Sequence, residues 1–547
     1  MHEYWAVAFL VPLAAWILLS GLDDLFIDFV FLAFPRRRRF PWPGEAELTR
    51  APQRPIAILL PLWHEHDVIE QMLRHNLSVV RYGNYDLFVG VYPNDPLTME
   101  AVHRVARQDA RVHTAICDHY GPTSKGDCLN WAYRRMVEYE QRQGLAFEIV
   151  ITHDAEDLIH PESLRLINWF SRDHEMVQIP VLPLATALAE WTHGLYCDEF
   201  AEFQSKDIPV RQQLGGFVPA NGVGTGFERS ALENLRRSHD GKFFDPDCLT
   251  EDYENGFRMH AAGYRQIFVP IHFDASEPVA TREYFPRGWR AAVRQRSRWV
   301  AGIALQGWQR HGWRVPARQV YWFWRDRKAL VGNLISPLSN FLLLCWLANS
   351  ALSAGHAYRL FDSSIPPGLL PVFLVTTCVS VAQTGVRVHL SARLYGWRFA
   401  AAAPLRMFWG NLINFAATAQ AIREFLAARL QRHQLVWRKT EHIYPGNPAR
   451  THPRPRLGEV LIRLRFISPS DLEVALREKA PGQRIGEYLV QTRKITRSNL
   501  YRALGFQSGR PMETWAAEFS DTPFLQSDNR RAESRRPEYS RRSGAPA

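Results

Sequence analysis

The chain has 547 residues, 46% of them apolar and 12% aromatic, with a formal net charge of +11. That length exceeds one ordinary core, so two or three domains are expected, and the composition fits a folded protein with membrane contact. Six cysteines without paired spacing exclude a disulfide frame and a cysteine zinc site, and read as reduced thiols facing the cytosol.

Much of the basic excess lies beside apolar segments, at Arg36 to Arg39, and in the tail beyond Arg530. This placement favours the lipid bilayer as a partner and argues against a nucleic acid polymer. Trp5–Ser20 is a nearly uninterrupted apolar run without a charge. No basic region precedes it and no small-residue cleavage site follows, so a transmembrane helix is expected rather than a signal peptide. Leu25–Phe34 continues it as an interfacial piece that Asp23, Asp24 and Asp28 keep shallow. The arginines at 36 to 39 mark that end as cytoplasmic and the N-terminus as external.

From Ile56 to about Pro270, short apolar strands alternate with helical stretches. Strands are expected at Ile56–Leu60, Leu87–Tyr92, Val112–Cys117, Glu148–Thr152 and Met176–Ile179, and helices at Thr98–Gln108, Ser124–Gln143 and Glu162–Phe170. This alternation predicts a mostly parallel sheet with helices on both faces, an α/β fold. No Gly-x-Gly-x-x-Gly follows the first strand and no Walker loop occurs, which weakens dinucleotide and P-loop readings.

The fourth strand ends in Asp154-Ala155-Glu156-Asp157, at the carboxyl edge where ligands of open α/β sheets bind. In extended chain Asp154 and Glu156 share a face and can clamp one divalent cation. As acids ahead of a helix they can equally be caps. Glu65 after the first strand and Asp95 after the second can accept hydrogen bonds from a nucleobase or ribose. His64 and His66 beside Glu65 have no further ligand at helical spacing, against a metal site there. Thr250-Glu251-Asp252 opens a helix, with Thr250 as N-cap and the helix dipole holding Asp252 ionised, as a general base must be. In Gln295-Arg296-Ser297-Arg298-Trp299, the residues Gln295, Arg298 and Trp299 share one helix face. An amide, a guanidinium and an exposed indole there suit a diphosphate and a stacked sugar ring.

Leu330–Leu352 and Gly368–Val386 are each apolar enough to span a bilayer. Pro404–Ala421 carries Arg406 and several polar residues and is expected to lie on the membrane surface, leaving Arg423–Lys439 cytoplasmic. That makes three spans and one interfacial helix. After a Pro-rich linker, Arg456-Leu457-Gly458-Glu459 recurs as Arg484-Ile485-Gly486-Glu487, 28 residues on, which predicts a repeated helical hairpin. The Arg-, Ser- and Pro-rich end of the chain is expected to be disordered. The expected divisions are a membrane segment (1–50), an α/β domain (51–325), membrane and interfacial helices (326–440), a linker (441–455), the all-α repeat (456–515) and a tail (516–547).

The order strand-end acid, Asp-x-Glu, Thr-Glu-Asp, Gln-x-x-Arg-Trp, then membrane helices resembles the processive, membrane-bound family 2 glycosyltransferases, relatives of the cellulose and hyaluronan synthases. Ser20-Gly21-Leu22-Asp23-Asp24, Tyr92-Pro93-Asn94-Asp95-Pro96, Gly121-Pro122-Thr123-Ser124-Lys125, His153-Asp154-Ala155-Glu156-Asp157, Val223-Gly224-Thr225-Gly226 and Trp409-Gly410-Asn411-Leu412-Ile413-Asn414 look like the inner-membrane phage adsorption branch of that family. The likeness runs to about residue 515. It implies a GT-A (Rossmann-like) domain facing the cytoplasm from the bacterial inner membrane, and inverting transfer of a sugar from a UDP-sugar to a growing exopolysaccharide.

By the same resemblance, Glu65 and Asp95 hold the nucleotide, with Lys125 near its phosphates. Asp154 and Glu156 bind Mg2+ or Mn2+, and Asp252, with Glu251 beside it, deprotonates the acceptor. Gln295, Arg298 and Trp299 contact diphosphate and acceptor. The usual second Asp of the metal motif is Glu156 here, and Asp157 is the other candidate. The repeat resembles the cyclic-di-GMP-binding MshEN module: Arg456, Leu457, Gly458, Arg484, Gly486 and Gln507 match it. Lys479 replaces the first closing Gln, and Arg465 and Arg493 replace the usual glycines. Three spans are few for a translocation pore, so an export or outer-membrane partner, or a homo-oligomer, is expected. The alternative is a non-catalytic membrane scaffold or receptor with a degenerate transferase domain, against which the intact motifs argue.

Overall fold

The computed structural model describes residues 2–34, 40–273, 277–354, 370–431, 444, 457–480 and 483–508. The chain divides into two compact units, Met1–Phe273 with Pro278–Gly446, and Asn447–Ala547 with Asp274–Glu277. In the first, β1 (Ile56–Pro61), β2 (Tyr85–Val91), β3 (Val112–Ile116), β4 (Ile149–Thr152), β5 (Met176–Gln178), β6 (Val181–Pro183), β7 (Thr225–Glu228), β8 (Gln266–Phe268) and β9 (Thr281–Glu283) follow in chain order. Seven form one sheet, β3-β2-β1-β4-β7-β5-β8, and β6 pairs with β9. The first four strands are parallel, as their apolar runs predict. β7, not expected from the sequence, runs antiparallel between β4 and β5.

β1 reads as a continuous apolar run because both of its faces are covered. Ile56, Ile58 and Leu60 enter a core with the helices Ile69–Val79, Pro96–Ala106 and Ser163–Phe170. Ala57 and Leu59 enter a second core with Lys125–Gln143 and Arg229–Arg237. The chain steps outward from β1 to β3 and then returns as β4 on the other side of β1. That reversal opens a crevice at the carboxyl ends of β1 and β4. The loops after β1, β2, β3 and β4 reach this edge, as does the turn before the antiparallel β7.

Four long helices flank the sheet domain: His2–Ala33, Ala317–Ala354, Leu370–Tyr395 and Ala403–Gln431. Among the described residues, Ala317–Cys345 is long and apolar enough to cross a membrane, with a mean hydropathy of 1.3. The side chains of residues 2–10 and all of 355–369 lie outside the described residues, and with them parts of the expected spans Trp5–Ser20 and Gly368–Val386. Arg36–Arg39, the linker apart from Tyr444, and the tail from 509 onward also lie outside them.

The helical stretch from Trp191 to Gln213 seats these helices through buried ion pairs. Asp198 holds Arg406 at 2.6 Å and Ser391 at 2.6 Å. Glu202 holds Arg387 at 2.5 Å, and Lys206 binds Asp28 at 2.5 Å and Glu202 at 2.6 Å. Charges at such depth persist only when paired. Ala403–Gln431 buries Ala403, Arg406, Gly410, Ile413, Ala417 and Ala421 at helical spacing, while Leu405, Leu412, Phe415 and Leu426 on other faces stay exposed.

The second unit is a repeat of two helical hairpins, Leu457–Arg463 with Pro469–Glu478 and Ile485–Gln491 with Arg497–Ser508, around one apolar core. Gly458 lies against Leu472 as Gly486 lies against Leu500. Arg465 and Arg493 both take φ +57 just past a helix end, the left-handed position that glycine usually fills. Arg484 caps the start of Ile485–Gln491 by position. Arg456 lies outside the described residues, and Gln507 is described only as part of its helix.

Candidate functional site

The end of β4 is not extended. Asp157 N donates to Asp154 O at 3.3 Å, closing a turn through Ala155 and Glu156. This replaces the face-sharing geometry expected for Asp154 and Glu156. The turn forms because the fully buried Asp157 carboxylate hydrogen-bonds His153 Nδ1 at 2.7 Å and accepts from Asp154 N at 2.9 Å. Asp154 is left at the sheet edge, facing Lys125 Nζ at 2.7 and 2.8 Å.

Lys125 begins the helix Lys125–Gln143, whose cap Ser124 accepts Asp127 N at 3.2 Å. A cation is out of place at the positive end of a helix dipole, so its position is set by its partners. Burial pulls its pKa down, but the facing carboxylates Asp154, Glu251 and Asp252 outweigh this and hold it above the usual lysine value. Lys125 Nζ also donates to Gly222 O at 3.5 Å. Gly222 has φ +77, and a Cβ on it would lie 2.8 Å from Asp252 Oδ2 and 3.2 Å from Lys125 Nζ. Only glycine lets this turn approach both groups.

Glu251 and Asp252 open the helix Glu251–Ala261. Thr250 stands at its N-cap position, but its side chain makes no capping bond and packs instead against Gly302. The dipole does not simply hold Asp252 ionised, as the sequence led us to expect. Burial raises its pKa, opposed by Lys125, the Tyr253 amide and Arg298. Burial and then repulsion from Asp252 push Glu251 up to about 7. Desolvation is the larger effect because both carboxylates lie inside the protein.

Arg298, on the helix Trp289–Trp299, is the second cation acting on this pair. Trp299, expected exposed, is partly buried among Tyr196, Phe200 and Phe285, because its side of the helix packs on the seat of the long helices. Gln295 Oε1 is buried without a hydrogen-bond partner among the described residues. Asp95 is turned inward: its Oδ2 accepts His64 N at 2.7 Å and its Oδ1 accepts Thr98 N at 3.4 Å, capping the helix Pro96–Ala106. Glu65 is buried on the next loop, where its N donates to Thr98 Oγ1 at 3.0 Å. The structure thus gathers Lys125, Asp154, Glu251, Asp252 and Arg298, and places Glu65, Asp95, Gln295 and Trp299 on elements around them.

One acid was not anticipated. Glu283 ends β9, which is tied to the β4 loop by Leu158 N donating to Arg282 O at 2.8 Å. Burial raises its pKa far above the usual range, and repulsion from Glu156, Asp157 and Asp154 adds to the rise. A three-residue strand after a segment without clear periodicity gives no sequence signal for it.

The model of the family described as glycosyltransferase like family 2 matches residues 52–302. Bacteriophage adsorption protein B of Escherichia coli (strain K12) is 36% identical over 533 residues, covering 92% of this chain and 71% of the relative. The chain belongs to the adsorption protein B family. Within that family, residues 52–302 are a family 2 glycosyltransferase domain with a GT-A-like α/β fold. Poly-β-1,6-N-acetyl-D-glucosamine synthase of Staphylococcus aureus (strain MSSA476) is 20% identical over 244 residues, 44% of this chain and 54% of that protein. Among solved structures, a mannosyltransferase of Pyrobaculum calidifontis in complex with GDP-Man and Mn2+ aligns at 18% identity with a TM-score of 0.43, over 73% of this chain and 99% of that chain.

Proposed function

We propose that this adsorption protein B family member is an inverting glycosyltransferase of the bacterial inner membrane. It transfers a sugar from a UDP-sugar to a growing exopolysaccharide and is activated by cyclic-di-GMP. The observation that carries the reading is the convergence of Asp154, Lys125 and Asp252, from three distant parts of the chain, at one sheet edge. In this reading the Asp252 carboxylate takes the proton from the acceptor hydroxyl as that oxygen attacks the anomeric carbon. The nucleoside diphosphate leaves on the opposite face, and the configuration inverts. A base whose pKa is lifted by burial is matched to a neutral working pH. Lys125 and Arg298 face the departing diphosphate.

Glu156, Asp157 and Asp154 repel Glu283, and carboxylate oxygens suit Mg2+ or Mn2+, although among the described residues no three acid, imidazole or thiol side chains are grouped to hold a metal ion by themselves. Asp154 and Glu156 would hold that ion, which neutralises diphosphate charge. Asp157, bound to His153 and to the Asp154 amide, serves as their strut. The adsorption function in the relative's name fits a chain whose polymer is carried to the cell surface by an export partner. The test is UDP release from a panel of UDP-sugars by membranes carrying wild type or Asp252→Asn. Loss of the base should lower kcat by about 100-fold or more. Equal turnover in the two would remove Asp252 from its role, and absence of turnover in wild type would favour the scaffold alternative.

A further inference from the structure

The acid pair Glu251 and Asp252 is held by a ladder of contacts that runs away from it in both chain segments. Arg298 acts on Glu251 and Asp252. Four residues on, Gly302 lies against Thr250. Four further, Gln306 Oε1 accepts Leu249 N at 3.0 Å and Gln306 Nε2 donates to Asp247 O at 3.2 Å. Four beyond that, Arg310 pairs with Asp245. As the first strand of the ladder ascends, the second descends.

The regular spacing needs the local helix geometry. In an α-helix each four-residue step rotates by about 40°, so three steps would carry Arg310 about 120° off the face that Arg298 occupies. Val300–Gln306 is instead a π-helical turn, between the α-helices Trp289–Trp299 and Gly307–His311. Its wider turn takes up that drift, and such turns are frequent at functional sites.

The tightest rung is Gly302. A Cβ there would stand 2.4 Å from Thr250 Oγ1 and 2.6 Å from Thr250 Cγ2. The Thr250 hydroxyl makes no capping bond and has no hydrogen-bond partner among the described residues. At the far end of the segment, a Cβ on Gly126 would stand 2.9 Å from Asp245 O, next to Lys125. Residues 245–252 are therefore gripped between two glycine contacts, one on the helix that starts with Lys125 and one on the run that carries Arg298.

We propose that Gly302 is a positioning residue: by admitting Thr250 into contact, it sets the approach of Glu251 and Asp252 to Lys125 and Arg298. The inference rests on the transferase reading. Its test measures kcat and donor KM on full-length protein in membranes, for wild type, Gly302→Ala, and Gly302→Ala combined with Thr250→Ala. A shift of about 1 Å in a reacting group costs about 100-fold, so Gly302→Ala should lose about that much in kcat while donor KM stays within about threefold. Thr250→Ala removes the two nearest atoms that the new Cβ would meet, and in the Gly302→Ala background it should restore kcat by about tenfold or more. A wild-type kcat in Gly302→Ala, or a loss that Thr250→Ala leaves in place, overturns the proposal. A wild type inert toward every donor overturns the transferase reading itself, so the two failures are distinguishable.

Discussion

Glu251 is the residue on which pH acts most directly. Its carboxyl moves from about 4.5 in the unfolded chain to about 7 in the fold, through burial and the neighbouring Asp252. Between those values the folded state holds a proton that the unfolded state has released. The stability contributed by this group is therefore complete below about pH 4.5 and is lost as pH rises through about 7. Glu251→Gln keeps the shape without the titration. The unfolding free energy of detergent-solubilised wild type should fall more steeply between pH 5 and 7.5 than that of the variant, by up to about 1.4 kcal/mol per pH unit. Equal slopes would mean that Glu251 is not buried as described. The contrast with the sequence reading is instructive. Acids at a helix start are visible in Thr250-Glu251-Asp252, but their protonation depends on Lys125 and on desolvation, neither of which local chain order encodes. Glu283 makes the same point, because it joins the acids through tertiary pairings, Leu158 with Arg282 and β6 with β9.

Among elements, legibility follows the reason each one forms. β1 and β4 are near-continuous apolar runs because both of their faces are covered, and such runs are visible without tertiary knowledge. β7 is Thr-Gly-Phe-Glu, four residues with a glycine, and it is a strand only because β4 and β5 flank it. The Trp191–Gln213 stretch is buried on most sides, so it lacks the apolar stripe of a surface helix, and its charges find partners on helices far along the chain. The hairpin repeat was visible because a fixed 28-residue period survives in the chain itself. Its function is a separate matter, and Arg484 at the head of the second hairpin is the residue to probe. Cyclic-di-GMP added to full-length protein in membranes should raise UDP release by at least about fivefold, a typical coupling, and Arg484→Ala should abolish the rise. If the nucleotide changes turnover equally in both proteins, the repeat is not its receptor.

At the scale of the first unit, the ion pairs orient the long helices independently of any count of loop charges. His2–Ala33 meets the sheet domain through Asp28, near its C-terminal end, which pairs with Lys206, while Asp23 and Asp24 pair with Arg325 and Lys328 of Ala317–Ala354. Ala317–Ala354 meets the sheet domain near its N-terminal end, through Arg325 paired with Asp207 and Asp326 paired with Arg211. Leu370–Tyr395 meets it through Arg387, again toward the C-terminal end. The direction therefore alternates from helix to helix, and the apolar remainder of each points away from the transferase domain. Exposed Val331, Leu338, Phe341, Leu344, Leu374, Val375 and Val381 on the distal parts suit hydrocarbon. With a bilayer on that side, the N-terminus and residues 355–369 are expected outside and the catalytic edge inside, and Ala403–Gln431 is expected at the surface. Single cysteines at His2, Ser363 and Lys242, in a background without Cys345 and Cys378, test this directly. A membrane-impermeant maleimide applied to cells with a permeabilised outer membrane should label the first two and reach the third only after lysis. Labelling at Lys242 in intact cells, or protection at Ser363, would invert or remove the hairpin formed by Ala317–Ala354 and Leu370–Tyr395.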